Sequence, residues 1–356
     1  MGIIRFILAV SVVLGHSSPI LGYFGIPAHA AVTLFFIISG FYMGLIATEK
    51  YTGINRFKAF YSNRFLRLYP TYLIAVFIAL AVRYCFVQIE MKGSGSFFPS
   101  QMSWFARLFL VIPNISLFGS DWVYFFHFGP DSGWHFSLGG NAPGVDTVRA
   151  SRYLLIPPAW SVGLELWFYL LVPFLVQWRT IFVVGVAVIS FGIQQGMEAS
   201  IAWSSYFFFP ANFGYFLIGV LGYRFYRTDL FRRYATEKNV NVIFFAVLAN
   251  LILRQYIPYY RNYPWQMYLM FSLSLPFLFQ ASKNSLWDRW IGNLSYPIYI
   301  IHHPIIKCLE QQGTIKDGLL TLSLTLVTSI IVLVFVDQPL DRIRQRRIEK
   351  VNAFST

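Results

Sequence analysis

Charged side chains are scarce in this sequence. Only 12% of its 356 residues are Asp, Glu, Lys or Arg, while 56% are apolar. The charged share is about half that of an ordinary soluble domain. No stretch is long and polar enough to form a second domain, and no internal repeat or low-complexity segment is present. We therefore expect residues 1–356 to form a single polytopic membrane domain.

Cysteine and acidic residues are also few. Cys85 and Cys308 both lie in apolar surroundings, so we expect neither a disulfide framework nor a metal site. The 28 basic residues outnumber the 15 acidic ones, which gives a formal net charge of +13. Because the basic residues fall between apolar runs, this excess does not indicate nucleic-acid binding, and membrane lipids are the expected partners.

Apolar runs recur along nearly the whole chain. The segment from Trp104 to Leu117 is apolar but short and is broken by Pro113, which predicts an interfacial or re-entrant piece. The other runs predict an all-α membrane protein with about ten transmembrane helices. Their predicted bounds are 3–23, 29–48, 65–90, 159–177, 180–198, 207–226, 240–257, 264–281, 290–309 and 317–336.

Lys and Arg are unevenly distributed between the predicted sides of the membrane. One side collects about 19 of them and the other about 9, so the positive-inside rule makes the richer side cytoplasmic. Both termini then face the cytoplasm, as expected for a multi-pass protein of the cell inner membrane. The loop 91–158 faces outward, and the basic amphipathic tail 337–356 is expected to contact anionic headgroups.

The first apolar run carries Arg5 near its start and His16 towards its end. Eleven positions make about three helical turns, so the two residues share one helix face, ~16 Å apart. If Arg5 lies at a membrane edge, His16 lies near the middle of a hydrocarbon core ~30 Å thick. An ionisable residue at that depth is a candidate functional residue. A neutral histidine hydrogen-bonded inside the bundle is the alternative.

Two more arginines enter the third apolar run from the same predicted side as Arg5. Arg64 and Arg67 are three positions apart and share a helix face. Three guanidinium groups at one membrane face suit phosphate oxygens, because each offers a planar fork of donors. Ordinary anchoring to lipid phosphates is the alternative explanation.

A polar stripe runs along the fourth predicted span, where Ser161, Glu165 and Tyr169 lie at i, i+4 and i+8. A buried carboxylate must be protonated or partnered. A pair between Glu165 and His16 would meet this need, and a Glu165 bonded to backbone or tyrosine is the alternative. In the second span, Ser39 is favoured as a packing residue, with a role for its hydroxyl near a ligand as the alternative.

Aromatic and polar side chains also gather on the predicted outer side. Aromatic rings next to hydrogen-bonding groups suit sugars, although solvated cover is an equally good interpretation of the loop. Its polar and aromatic candidates are Asp121, His127, Asp131, Trp134, His135 and Asp146. The residues that we expect to contact an acceptor are Trp160, Ser161, His302, Trp134 and His135. For His302, predicted near the outer face beside His303, an interfacial histidine with no catalytic duty is an equally good interpretation.

Six sequence pieces in this order resemble the acyltransferase-3 family of polytopic membrane acyltransferases. They are the Arg-x10-His spacing of Arg5 and His16, FFIISGF at 35–41, NRFLRLYP at 63–70, WSVGLELWFY at 160–169, LSYPIYIIHHPI at 294–305 and VDQPL at 336–340. Two positions depart from the family pattern, since Thr33 and Leu166 stand where acidic residues are usual.

The resemblance implies transfer of an acyl group, usually acetyl, from cytoplasmic acyl-CoA to a hydroxyl of an envelope or exported glycan. Arg5, Arg64 and Arg67 would hold the donor's phosphates, with Ser39 and Tyr169 further along its path. His16 would act as general base or as an acyl relay, with Glu165 as the second catalytic residue. A glycan transporter or flippase is the alternative function, and an envelope scaffold is a weaker one.

Overall fold

The computed structural model of the chain describes residues 1–51, 56–90, 102–129, 133–138, 148–201, 204–256, 264–312 and 317–353. Two loop candidates, Asp131 and Asp146, lie outside the described residues. Thirteen α-helices account for most of the described chain. They are α1 (Gly2–His16), α2 (Ala28–Glu49), α3 (Arg56–Glu90), α4 (Trp104–Ser116), α5 (Trp160–Leu175), α6 (Thr180–Ile201), α7 (Phe209–Tyr226), α8 (Asp229–Tyr234), α9 (Glu237–Leu253), α10 (Pro264–Ser282), α11 (Leu286–Gln311), α12 (Gly318–Val332) and α13 (Gln338–Ala353).

The predicted class, a helical membrane protein, is confirmed. Within the described residues, six helical segments are long and apolar enough to cross a membrane, judged by length and composition. Helices α1 and α4 are apolar but shorter. The count of about ten spans and the orientation of the termini stay predictions. The six segments are Ala28–Glu49, Arg56–Cys85, Pro157–Leu175, Thr180–Ala199, Glu237–Tyr256 and Gly318–Glu349.

Helix α1 is shorter than the predicted span 3–23, because it ends at His16. Ser17 has an extended backbone, with φ −115° and ψ −155°, and Pro19 follows two residues later. Proline disfavours helical geometry in the residue before it, so the Ser-Ser-Pro sequence ends the helix. His16 therefore lies in the last turn of α1, at a helix end rather than in mid-helix.

Glycines allow two helix pairs to approach closely. In the first pair, an added Cβ on Gly2 would collide with the Asp288 backbone, and one on Gly292 would lie 2.5 Å from Arg5 Nη2. In the second, Gly40 faces the backbone of Phe216 on α7. Small residues at such crossings let membrane helices pack backbone to backbone. Helix α1 is thereby fixed against α11, and α2 against α7.

The start of α1 is also held by a carboxylate. Asp288, near the start of α11, accepts hydrogen bonds from the backbone N–H groups of Gly2 (2.5 Å) and Ile3 (2.9 Å). The first N–H groups of a helix have no partner within the helix, so a side-chain acceptor satisfies them. This contact sets the position of Arg5, one turn further along α1.

A small antiparallel sheet lies in the part of the chain predicted to face outward. Strands β1 (Phe126–Gly129), β2 (Gly133–Phe136) and β3 (Val148–Arg149) are ordered β2-β1-β3. His127 pairs with His135 across the first two strands. The sheet and α4 share a small apolar core around Leu110, Val123 and Phe128. The predicted interfacial piece at 104–117 is thus a helix that packs on this sheet.

The last transmembrane helix continues into the basic tail. A π-helical turn, Leu333–Asp337, joins α12 to α13, and α13 packs against α3. Thr71 of α3 donates a hydrogen bond of 2.6 Å to Asp337 at this junction. The predicted amphipathic tail is therefore a helix that packs against the bundle along part of its length.

Candidate active site

A cavity of about 640 Å³ lies between α1, α2, α3, α5, α10, α11 and α13. Binding sites for small molecules generally measure roughly 300–1,000 Å³, so its size suits a ligand. Helices far apart in the sequence supply its walls. Seven of the predicted site residues line it, namely Arg5, Ser39, Arg64, Arg67, Ser161, Glu165 and Tyr169.

Positive charge dominates the cavity wall. Its cationic side chains are Arg5, Lys50, Arg64, Arg67, Lys283, Arg289 and Arg344. All seven belong to the set that the sequence places on the cytoplasmic side. Three carboxylates also line it, and each is already engaged, Asp288 by the α1 amides, Asp341 by Arg344 and Glu165 by hydroxyls. The remaining excess of positive charge favours an anionic ligand.

Arg5 reaches into this cavity from α1. Its guanidinium carbon lies 5.6 Å from the centre of the Tyr42 ring, a cation–π contact. The charge of Arg5 also interacts with those of Arg67 and Glu165. Arg5 Nε is buried and has no hydrogen-bond partner among the described residues. A buried donor left unpaired is destabilising, so a ligand oxygen at this position would stabilise the protein.

Arg64 enters the cavity from α3. It lies between two rings, 5.9 Å from the centre of Tyr169 and 5.9 Å from that of Phe60. Its Nη1 contacts Met43 Sδ at 3.9 Å, and its Nε is buried without a partner in the described chain. Arg5 and Arg64 therefore present the same feature, a packed guanidinium with an unsatisfied donor.

The hydrogen bonds of Glu165 differ from the expected Glu–His pair. Its carboxylate accepts from the Tyr169 hydroxyl at 2.5 Å and from Ser39 Oγ. None of its hydrogen bonds within the described residues reaches His16. The alternative interpretation, a Glu165 bonded to tyrosine, is the one that this geometry supports. Ser39 is likewise a hydrogen-bonding residue of the cavity as well as a packing residue.

His16 lies outside the cavity, at the exposed end of α1. Its Nδ1 is 2.9 Å from the Val12 carbonyl oxygen. A carbonyl can only accept, so this contact assigns the proton of a neutral ring to Nδ1 and the lone pair to Nε2. The His16 ring centre lies 5.1 Å from that of His302. A neutral imidazole held in one tautomer is suited to take up a proton.

His302 is inside the bundle rather than at an outer face. Its side chain is fully buried, so it offers no surface to an acceptor in this structure. Its Nδ1 lies 2.7 Å from the Tyr299 carbonyl oxygen, and its Nε2 is buried with no partner among the described residues. The sequence shows His302 and His303 side by side but gives no sign that His302 contacts His16.

A row of rings connects the cavity to His16. Tyr299 lines the cavity, where its hydroxyl lies 2.6 Å from Ser161 Oγ. The ring of Tyr299 is 6.1 Å from that of His302, which in turn contacts His16. The polar end of the cavity is thus two aromatic residues away from the candidate base.

The other predicted acceptor residues lie apart from the cavity. Trp160 is buried against Tyr206 (4.5 Å) and Phe207 (4.7 Å). Trp134 and His135 are half-buried on strand β2, where Trp134 packs 5.6 Å from Phe109. Their roles stay predictions. No cluster of three or more potential metal ligands occurs within the described ranges.

Comparison with known proteins identifies the family. Residues 1–337 match the acyltransferase-3 model, described as an acyltransferase domain. No match was found among curated proteins or among solved structures. Because the matched region covers 337 of the 356 residues, in agreement with the six sequence pieces and the cationic cavity, the chain belongs to the acyltransferase-3 family.

Proposed function

We propose that this acyltransferase moves an acyl group, acetyl, from cytoplasmic acyl-CoA to a hydroxyl of an envelope or exported glycan at the cell inner membrane. The observation that carries the proposal is the cationic cavity, whose polar end lies two aromatic residues from His16. The donor is a co-substrate, and the proposed mechanism uses no metal.

The donor's phosphates fit the cationic end of the cavity. Coenzyme A is anionic at its nucleotide end and slender along its pantetheine arm. The buried, unpaired Nε atoms of Arg5 and Arg64 are donors that phosphate oxygens would satisfy. Arg67 makes no hydrogen bond to any described residue and adds a third guanidinium. In this proposal the arm extends past Ser39 and Tyr169 towards Tyr299.

His16 is the proposed base at the reactive end. Its Nε2 takes the proton of an acceptor hydroxyl while that oxygen attacks the thioester carbon. The C–S bond breaks, the ester forms, and the CoA thiolate leaves and is then protonated. In the relay variant, Nε2 attacks the thioester first and the hydroxyl then displaces the acyl group from the imidazole.

Glu165 is proposed to act through the groups that it holds. Its carboxylate orders the hydroxyls of Ser39 and Tyr169, and the Tyr169 ring lies against Arg64. A substitution at Glu165 is therefore expected to disturb both the hydroxyls along the donor path and the position of Arg64. This role differs from the expected pairing with His16, which would have raised the basicity of the imidazole directly.

The acceptor is proposed to arrive from the outer side, where Trp160, Ser161, Trp134 and His135 remain the candidate contacts. Ser161 is the one that also lines the cavity. Because the donor enters from the cytoplasm, the two substrates would approach His16 from opposite faces of the membrane. Water exclusion between them would limit hydrolysis of the thioester.

Acyl transfer by the purified chain tests this function. The protein in lipid nanodiscs is incubated with radiolabelled acetyl-CoA and an envelope glycan fraction. We expect label in the glycan and release of free CoA. A chain that binds no acyl-CoA yet moves a lipid-linked sugar across proteoliposomes would be a transporter, and the enzyme proposal would then be wrong.

Cysteine labelling tests the orientation on which the proposal depends. In a background with Cys85 and Cys308 replaced by serine, single cysteines are introduced at the exposed positions Lys58 and Leu138. We expect an impermeant maleimide to label Leu138→Cys in intact cells and Lys58→Cys only after the membrane is opened. The reverse pattern would place the cationic cavity on the outer side.

A further inference from the structure

Beyond Leu340, the end of the last family-like sequence piece, helix α13 lies outside the part of the chain that matches the family. The match ends at residue 337, whereas α13 runs over Gln338–Ala353. The helix nevertheless contributes four residues to the cavity wall, Asp341, Arg344, Gln345 and Ile348. A segment beyond the matched domain thus forms part of the cationic cavity.

The spacing of these residues explains how α13 meets the cavity. Positions 341, 344, 345 and 348 follow the i, i+3, i+4, i+7 pattern of one helix face. Arg344 is only 9% exposed, whereas Arg342, Arg346 and Arg347 are exposed on the other faces. The four arginines of the tail therefore form two groups, a single arginine directed inward and three directed outward.

Arg344 joins a group of like charges. Its charge interacts with those of Arg67 and Arg64 on α3, and with its ion-pair partner Asp341. Like charges held together repel, and the two nearby carboxylates, Asp341 and Asp337, do not fully offset three guanidinium groups. A phosphate among the guanidinium groups would offset the remaining repulsion and accept their hydrogen bonds.

Phosphate could come from the donor or from a lipid headgroup. The three exposed arginines have the arrangement expected for headgroup contact, which is the role predicted for the tail from sequence. Arg344 differs because it faces the same cavity as Arg5 and Arg64. Its partners Asp341, Arg64 and Arg67 all line this cavity.

We propose that α13 is one wall of the donor site and that Arg344 binds a phosphate of acyl-CoA together with Arg64 and Arg67. This inference rests on the proposed function. It assigns the inward face of the tail to donor recognition and leaves its outward arginines to the membrane surface.

Two matched substitutions test the inference. Arg344→Ala and Arg347→Ala each remove one positive charge from the same helix, but only the first changes the cavity. The dissociation constant of CoA is measured with the full chain in phosphatidylcholine nanodiscs, with and without phosphatidylglycerol. A charge-assisted hydrogen bond contributes roughly 1.5–3 kcal/mol, so we expect Arg344→Ala to weaken binding about 10–100-fold in both lipids. Arg347→Ala should leave it unchanged.

A third variant separates recognition from folding. Asp341→Asn keeps Arg344 but removes the carboxylate that competes with a phosphate for it. We expect this variant to bind CoA more tightly than the wild type, with both proteins checked for an intact melting transition. If the Asp341–Arg344 ion pair only supports the fold, both Asp341→Asn and Arg344→Ala should weaken CoA binding.

The outcomes separate failure of this inference from failure of the proposed function. Equal losses in Arg344→Ala and Arg347→Ala, or a loss only with phosphatidylglycerol present, would assign the tail to general or lipid electrostatics and overturn the inference. If the wild type binds CoA and Arg344→Ala binds it equally well, the inference is wrong but the proposed function stands. A wild-type chain that binds no CoA would overturn the proposed function as well.

Discussion

The two ends of helix α1 have opposite environments. At one end, Arg5 projects into a cavity lined by seven cationic side chains, and the helix start is held by Asp288. At the other end, His16 is exposed, lies outside the cavity and contacts His302. One helix therefore connects a region suited to anion binding with a region suited to proton transfer.

This difference indicates that affinity and chemistry can be changed separately. Substitutions at the Arg5 end should alter donor binding, because they remove charge from the cavity. Substitutions at the His16 end should alter the rate of the chemical step, because no cationic cavity residue changes. Three predictions test this separation and a fourth concerns stability, taken from the largest expected effect to the smallest.

Replacement of His16 by alanine should have the largest effect. His16→Ala should reduce acyl transfer by about 1,000-fold or more, because general acid–base catalysis alone supplies typically 10²–10⁴-fold. CoA binding should be unchanged, since His16 does not line the cavity. Because His16 is exposed, free imidazole should restore part of the activity. Normal activity of the variant would exclude His16 as base and as relay.

Arginine substitutions at the cavity should change donor binding rather than the rate of the chemical step. Arg64→Ala and Arg67→Ala should each raise the donor KM about 10–100-fold, with a smaller effect on kcat, because each removes a phosphate-binding charge. Lys58→Ala is the matched control, an exposed cation on the same helix. A fall in kcat with unchanged donor KM would mean that these arginines do not recognise the donor.

A substitution at Glu165 tests whether this residue supports donor binding in the cavity or proton transfer at His16. Glu165→Gln should raise the donor KM about tenfold, because it weakens the hydrogen bonds that hold Ser39 and Tyr169 beside Arg64. Tyr169→Phe should show the same kind of change. A fall in kcat together with a shifted pH–rate profile would instead restore the expected pair with His16.

The smallest predicted effect concerns stability. Asp121 is buried beside Gly163 of α5, and its burial raises the pKa of its carboxyl to about 7. The folded protein then binds this proton more tightly than the unfolded chain. The contribution of this carboxyl to the free energy of unfolding is therefore largest at acidic pH and is lost as the pH rises through about 7.

Asparagine at this position should remove that dependence. Between pH 5 and pH 8, the melting temperature of Asp121→Asn should fall by several degrees less than that of the wild type. Asp229→Asn, at a carboxylate that is 96% exposed, is the control and should leave the pH dependence as it is. An unchanged profile in Asp121→Asn would mean that another group titrates in this range.

Much of the lining of the cationic cavity could be predicted from sequence. Helical periodicity places Arg5 with His16, Arg64 with Arg67, and Ser161 with Glu165 and Tyr169, because side chains three or four apart share a face. The distribution of Lys and Arg predicts that these arginines lie at one level of the bundle. The structure places Arg5, Arg64, Arg67, Ser39 and Tyr169 around one cavity, as those patterns imply.

Other features could not be predicted, because periodicity within a helix does not identify its neighbour. Arg344 looks like any other arginine of a basic tail until α13 is seen against α3. Glu165 finds its hydroxyl partners on α2 and on its own helix, at a crossing that only packing defines. His302 is buried beside His16 for the same reason.

The sequence by itself determined a helical membrane protein of the acyltransferase-3 family, because apolar length, local periodicity and motif order are properties of the chain alone. Only the tertiary structure decided which faces meet. The tail contributes to the cavity, Glu165 bonds to hydroxyls, and His16 lies beyond two aromatic residues from the cavity's polar end. Of these arrangements, the contact between His16 and His302 lies at the α1–α11 crossing, where Gly2 and Gly292 let the two backbones approach closely.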